Sequence, residues 1–201
     1  MNLRPLTTVL VLVLTLAVCA VLAGTFELRR EKVSARNLIE GAERLDRDKS
    51  SSSAFDDFLL KHNSMRSARD CNEVRCTYSA TLKNTLLSFF HLAPPSEFYM
   101  SVTRSQGHVE EVYLSVKTAM SGRNYAATIR SRASCNPECE GFWSDVVLDP
   151  SSGSVVRSVT ELGPSANAED RKLAFRLNVN CIFDLGGCSN PSCNKCSSRG
   201  H

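Results

Sequence analysis

Polar and apolar residues alternate along the second half of the chain, and this period of two is typical of strands that bury one face. The alternation begins at residues 98–103 and is repeated at 111–117, with a Gly-containing turn at 105–108 between them. A second such turn at 120–123 leads into a third segment of the same kind. These segments predict consecutive strands joined by short turns, which is the order of an antiparallel meander.

Later segments extend the predicted sheet. The sequence "DPSSG" at 149–153 separates "FWSDVVL" from "SVVRSVTEL" and predicts a hairpin, because Pro presets a turn angle and Gly tolerates positive φ. At 171–184 an apolar residue occupies every second position from Leu173 to Phe183, and a strand would place all of them on one face. The pattern therefore predicts about six strands, with Cys181 of the last strand facing the core.

A helical period marks two short helices before the strands. The first begins near Ser53 and continues to Met65, and the second covers about residues 80–92 and ends at a Pro-Pro pair. Cys71 and Cys76 fall in the connection between these helices. We therefore predict an α+β fold in which two short helices pack on a roughly six-stranded antiparallel meander sheet, stapled by disulfides.

The first 24 residues form a membrane-directed segment. The chain is uncharged from Pro5 to Phe26, and its strongly apolar part is intermediate in length between a signal-peptide core and a spanning helix. Val21 and Ala23 are small enough for cleavage after Ala23. More basic residues follow the segment than precede it, and an uncleaved anchor would export them against the positive-inside tendency. We expect residues 1–24 to be a cleaved signal peptide, with a signal anchor as the alternative.

Residues 25–53 connect this segment to the predicted domain. Charges of both signs alternate here, and Glu40 with Arg44 has the favourable i, i+4 order of a solvated helix. The apolar stripe of this helix is too short for a coiled coil. We predict an exposed or loosely docked helical stalk and a Ser-rich linker, followed by the exported α+β domain at 54–183 and a Cys-rich tail at 184–201.

Composition and charge narrow the function classes. The chain is 42% hydrophobic and 22% charged, as globular proteins are, and its net charge of +3 is spread among acidic residues. That distribution does not indicate nucleic-acid binding. None of the four histidines lies in a nucleophile motif, and the adjacent acidic pairs do not face each other on a helix or a strand. We therefore expect a non-catalytic protein without a cofactor.

The cysteines predict disulfides. Eight lie outside the leader: Cys71, Cys76, Cys135, Cys139, Cys181, Cys188, Cys193 and Cys196. An even number in an exported chain indicates covalent staples, although the spacing leaves the pairing open. The alternative is a thiol-redox or metal site formed by Cys181, Cys188, Cys193 and Cys196. An oxidising compartment favours disulfides, and no helix follows the C-x-x-C pair to lower a thiol pKa.

The sequence thus predicts an exported, disulfide-rich binding or structural module, secreted or anchored in a membrane. Its candidate binding surface is Phe142 and Trp143, since aromatic residues on loops are enriched at interfaces. We expect filling of the core by Phe142 or Trp143 more than a role of this pair in binding. We expect the partner to be a protein or another extracellular ligand and not a nucleic acid. Membrane contact is expected only through residues 5–24, if they are retained.

Overall fold

The computed structural model describes residues 4–47, 52–62, 67–120, 123–133, 142–149 and 155–188 of the 201-residue chain. The helices in these ranges are α1 (Arg4–Arg47), α2 (Ser52–His62), α3 (Thr85–Phe89) and α4 (Ala168–Ala174), with a 3₁₀ helix at Val179–Phe183. The strands are β1 (Ser67–Cys71), β2 (Arg75–Lys83), β3 (Ser96–Ser105), β4 (His108–Met120), β5 (Arg123–Arg132), β6 (Phe142–Asp149) and β7 (Val155–Leu162).

The sheet is mostly antiparallel, with the strand order β1-β2-β3-β4-β5-β7-β6. Strands β3 to β5 form the meander that the alternation predicted, and β1 and β2 extend it at the other side. The predicted meander is wrong after β5, because β7 returns parallel to β5 and β6 forms the outer, antiparallel edge. Parallel neighbours need a crossover connection, and the passage through β6 provides it.

The core lies between one face of the sheet and the helices α1 and α2. Alternate residues of β3 and β4 point into it, and Phe98, Met100 and Leu114 are fully buried. Phe55 and Phe58 of α2 belong to the same cluster. Helices packed on a mostly antiparallel sheet confirm the predicted α+β class, although one helix is much longer than predicted.

The second half of α1 is docked on the sheet, and the exposed or loosely docked stalk that we predicted is wrong for these residues. Its apolar stripe is buried, with Ala35, Leu38 and Ala42 at 0% and Leu45 at 2% exposure. A stripe of this length cannot hold an isolated coiled coil, which needs three or four heptads. The stripe is nevertheless long enough to hold α1 on the sheet, because the sheet presents a wide apolar face that its own strands already order.

The first half of α1 is exposed on all sides. Val9 is 61% and Phe26 is 70% exposed, and an 18-residue window of this helix has a mean hydropathy of 2.7 with none of it buried. Length and composition are those of a helix that could cross a membrane, and a signal sequence has the same properties. The division of the chain at residue 24 therefore stays a prediction.

Two predicted elements are corrected. The helix predicted at 80–92 is the end of β2 followed by the five-residue α3. Tyr78, Ala80 and Leu82 alternate inward along β2, but the helical spacing of Leu82, Leu86 and Phe89 concealed this period of two. Of the residues that suggested the helix, Phe89 is 75% exposed. The apolar character of the residues that suggested the helix is therefore not a sign that they are buried in the domain.

The strand predicted at 171–184 is absent, since α4 and the 3₁₀ helix occupy these residues. Local helix signals outweighed the alternation: the Asn167 side chain caps α4 by accepting a hydrogen bond from the backbone of Asp170 at 2.9 Å. Phe183 is buried as expected, yet Ile182, which a strand would have turned outward, is also fully buried. A 3₁₀ turn can bury such neighbours together, whereas a strand cannot.

Candidate functional site

The sheet face opposite α1 carries a polar, hydroxyl-rich surface. On β4 the outward residues include Tyr113, Ser115 and Lys117, because Leu114 and Val116 between them point into the core. The register of the neighbouring strands adds hydroxyl groups on both sides of β4. These side chains were not singled out in the sequence, where they look like the ordinary outward half of an alternating strand.

An open groove with a volume of about 810 Å³ begins on this face and continues around one end of the sheet. Its floor includes the outward side chains of β4 together with Thr128 of β5. The opposite wall comes from the β2–α3 connection, where Asn84 and Ser88 line it. The lining combines hydroxyl, amide and phenol groups with the apolar side chains of Pro95, Ala119, Ala126 and Val159, so hydrogen-bonding groups lie beside apolar surface.

Ser115 is the unusual residue of this groove. It is only 1% exposed, and its Oγ has no hydrogen-bond partner in the described part of the chain. The register places Tyr99 and Thr128 directly beside it on the adjacent strands. Leaving a buried hydroxyl unpaired costs about 1–3 kcal/mol, so such groups in native proteins usually have a function or bind a water molecule or ligand.

Hydrogen bonds hold the end of the groove in one arrangement. The Asn84 side chain donates to the Pro94 carbonyl and accepts from the Ser96 backbone N–H, both at 2.8 Å. Ser96 Oγ lies 2.7 Å from Thr118 Oγ1, which joins β3 to β4. Asn84 is 2% exposed, so this network is desolvated and rigid. The wall is therefore organised before any ligand arrives.

Charge and aromatic contacts complete the site. Lys83 and Glu97 form an ion pair at 3.5 Å at its edge, whereas Lys117 is exposed at the groove. Tyr113 packs edge-to-face against Tyr99 with ring centroids 5.9 Å apart, which fixes the orientation of its ring. The site can donate and accept hydrogen bonds beside aromatic rings, and its described lining residues include no paired base and nucleophile of the kind that a hydrolytic centre requires.

The predicted cysteine staples are found where the structure describes them. Cys71 and Cys76 lie at disulfide distance across the β1–β2 hairpin, and Cys181 and Cys188 do so around the 3₁₀ helix. Both pairs close locally, which the spacing had left open. Cys135, Cys139, Cys193 and Cys196 lie outside the described residues, and their pairing stays a prediction.

The alternative metal site is weakened by these pairs. Cys181 and Cys188 are joined to each other and cannot both act as thiolate ligands in this state. Among the described residues, no group of three His, Cys, Asp or Glu side chains is placed to hold a metal ion. A metal or redox role at the tail would therefore depend on cysteines outside the described ranges, or on reduction of this bond.

The predicted aromatic surface lies at the start of an edge strand. Phe142 and Trp143 open β6, where their backbones pair with Leu162 and Glu161 of β7. The predicted hairpin strand that begins at these residues is therefore confirmed, whereas the loop position on which the predicted binding surface was argued is not found. Their role in binding stays a prediction, and β7 separates their strand from β5 and the centre of the groove.

A buried histidine lies on the other face of the sheet, at the end of α2. His62 is 2% exposed, its ring is 4.5 Å from that of Phe58, and its Nδ1 has no partner in the described residues. Burial, and then the charge of Lys61, lowers the pKa of His62. Tyr78 donates a hydrogen bond to the His62 carbonyl at 3.3 Å, and burial raises the pKa of Tyr78. We interpret this pair as structural.

Comparisons with known proteins gave no relative for the chain. No family model matches it, and neither the curated proteins nor the solved structures contain a significant match. The proposals below are therefore argued from the fold and the side chains described above.

Proposed function

We propose that this protein is a non-catalytic binding module on the outer side of a membrane, which holds a polar ligand in the groove on its open sheet face. The observation that carries the proposal is the hydroxyl of Ser115, which is buried and unpaired in the floor of an organised groove. Because Ser115 is only 1% exposed, a ligand would first displace the side chains that cover it, and a hydroxyl or carbonyl group of the ligand would then supply the missing hydrogen bond. Binding would then remove the free-energy cost of leaving this buried hydroxyl without a hydrogen bond.

The chemistry of the lining defines the class of ligand. Tyr113 offers a ring and a phenol, Thr128 a hydroxyl and Lys117 a cation, whereas Glu97 is paired with Lys83. A ligand that presents several hydroxyl or carbonyl oxygens, such as a saccharide or an extended peptide, could use these groups together. The groove lining has more hydrogen-bond donors than unpaired carboxylates. A polycationic ligand would find few negative groups there and is a poor fit.

Location outside the cytoplasm is supported by two independent features. The cysteine pairs at disulfide distance are typical of oxidising compartments, and the apolar half of α1 is suited to membrane targeting. We favour a retained anchor over cleavage, because α1 continues without a break through Gly24 into the docked half. Secretion after cleavage at Ala23 is the alternative, and the intact mass of the mature chain distinguishes the two.

The direct test is binding by the full chain in detergent micelles to arrays of soluble oligosaccharides and unmodified peptides. Any ligand found is then titrated against Ser115→Ala, with Ser101→Ala as the matched control on the same face but outside the groove. Loss of one hydrogen bond predicts about a three- to tenfold weaker affinity for Ser115→Ala. The proposal fails if both variants bind as the unmodified chain does, or if no ligand of either class binds.

A further inference from the structure

Five exposed apolar side chains gather at one end of the domain. We name this surface the apolar rim and define it as Leu86, Phe89, Phe90, Leu92 and Leu185, whose exposures range from 38% to 75%. Outside α1, only two other exposed large hydrophobic side chains, Leu60 and Val74, are found among the residues whose side-chain exposure the structure describes. A concentration of this kind on a monomer marks a site of interaction with a partner or a membrane.

Short contacts make the rim one continuous surface. The rings of Phe89 and Phe90 meet edge-to-face with their centroids 5.2 Å apart. The chain turns sharply after them, since His91 has a positive φ of 55°. The backbone N–H of Gly186 then donates to the Leu92 carbonyl at 2.9 Å, which brings Leu185 beside the α3 segment.

The rim adjoins α1 at the point where its apolar half ends. Gly24 approaches Leu86 so closely that a β-carbon on the glycine would lie 3.0 Å from Cδ2 of the leucine. Phe26, two residues further along α1, is 70% exposed, and Glu27 is the first charged residue after the apolar segment. The rim therefore lies at the level where a spanning helix leaves the hydrocarbon of the bilayer.

The domain cannot swing freely about this junction. Lys32 forms an ion pair with Asp184 at 2.6 Å, next to the rim residue Leu185. Beyond it, the stripe that begins at Ala35 is buried in the core. Because α1 is one continuous helix, no loop separates its apolar half from the junction and the docked stripe. The direction in which the rim faces is consequently fixed relative to the apolar half of α1.

We infer that the apolar rim inserts into the interfacial layer of the same bilayer that α1 crosses. The inference rests on the proposed anchor and extends membrane contact beyond residues 5–24. Lipid is the occupant that the position favours, since the rim continues the apolar surface of α1 at the depth of the headgroups. Aromatic and aliphatic side chains beside charged residues are suited to that layer. The insertion would hold the domain in one orientation on the membrane surface.

The test uses the full chain reconstituted in phosphatidylcholine vesicles, with and without dibrominated acyl chains that quench nearby tryptophan. Phe90→Trp places a probe in the rim, and Leu60→Trp is the matched control. Leu60 is 79% exposed on α2, which contacts α1 near Gly41. Gly41 lies 17 residues, or about 25 Å of helix, beyond Gly24. The fluorescence of the unmodified chain, which has one Trp, is subtracted from each.

Insertion predicts that brominated lipid removes about half or more of the fluorescence added by Phe90→Trp and little of that added by Leu60→Trp. Equal quenching of the two probes would overturn the inference, and so would a blue-shifted, unquenched Phe90→Trp signal, which would indicate contact with a second copy. Alkaline carbonate extraction shows whether α1 is an anchor at all, independently of whether the apolar rim inserts into the bilayer. A chain that resists extraction keeps the proposed anchor, whereas a released chain overturns both proposals.

Discussion

Arg171 of α4 donates a hydrogen bond to the carboxylate of Asp46, near the end of α1, at 2.5 Å. The Asp46 side chain is completely buried and the Arg171 side chain is only 11% exposed. Asp46 also accepts a hydrogen bond from Ser131 of β5, and Arg171 donates to the carbonyls of Gly163 and Ala166. One buried ion pair thus connects the long helix, the sheet and the C-terminal segment.

Asp46→Ala is expected to lower the free energy of unfolding by about 3–5 kcal/mol, because it leaves the guanidinium of Arg171 without its buried counter-ion. The measurement is denaturant unfolding of the full chain in detergent, followed by circular dichroism. Glu43→Ala is the matched control, since the Glu43 side chain is 27% exposed and pairs with the 59% exposed Arg47 at 3.6 Å on the same helix. The control is expected to change stability by less than about 1 kcal/mol. Similar losses in the two variants would contradict the structural role of Asp46.

The two described disulfides are expected to contribute unequally. Cys181 and Cys188 are both buried and hold a 3₁₀ helix whose Ile182 is in the core. Replacing this pair by alanines is therefore expected to cost about 2–5 kcal/mol, or to prevent folding. Cys71 is exposed, and its bond to Cys76 closes a hairpin at the sheet edge.

Replacing Cys71 and Cys76 by alanines is expected to cost about 0–2 kcal/mol, the lower part of the range for disulfides. Unfolding of both double variants beside the unmodified chain under non-reducing conditions gives the comparison. A larger loss for the hairpin pair than for the 3₁₀ pair would contradict the expected order, and no loss for the 3₁₀ pair would show that the C-terminal segment does not depend on its staple.

His62 is expected to make stability fall as the pH falls below about 6.5, the ordinary pKa of the unfolded side chain. Its folded-state pKa is lowered by burial and by Lys61, so the unfolded state takes up a proton first and is favoured. The contribution is complete above the unfolded pKa and is lost as the pH falls towards the folded value. The slope from this one group is at most about 1.4 kcal/mol per pH unit.

The effect of His62 is measured as the difference in unfolding free energy between the unmodified chain and His62→Leu from pH 7.5 to 5. The difference is expected to vary with pH for this variant. His108→Gln, at the exposed first residue of β4, is the control substitution. A His62→Leu variant whose pH dependence matches that of the unmodified chain would show that the histidine titrates freely in the folded state.

The parts of the fold that the sequence predicted are those in which one face is buried and the pattern is undisturbed. Strands β3 and β4 follow this rule, because Phe98, Met100 and Leu114 alternate with polar neighbours. The expectation that apolar residues are buried is wrong for Phe89 and Phe90, which are both exposed. A single sequence cannot distinguish an apolar residue that faces the core from one that faces another surface.

The candidate groove could not have been predicted for a different reason. Ser115 is one of two outward hydroxyl residues of β4, with Tyr113, and the local pattern does not mark it as the buried one. Its burial arises from Tyr99 and Thr128, which are brought beside it by two neighbouring strands. The register between strands, and with it the environment of each outward residue, is a property of the folded sheet and not of the local pattern.

Ser115→Ala gives the sharpest test of the groove, because stability and binding are expected to change in opposite directions. Removing a buried hydroxyl that has no partner should raise the free energy of unfolding by about 1 kcal/mol in the absence of ligand. Affinity for a groove ligand should fall, since the ligand loses the hydrogen bond that the hydroxyl offers. Ser101→Ala, on the same face but outside the groove, should leave both quantities almost unchanged. If Ser115→Ala destabilises the free protein instead, the hydroxyl already has a partner there, and the groove loses its main argument for a ligand.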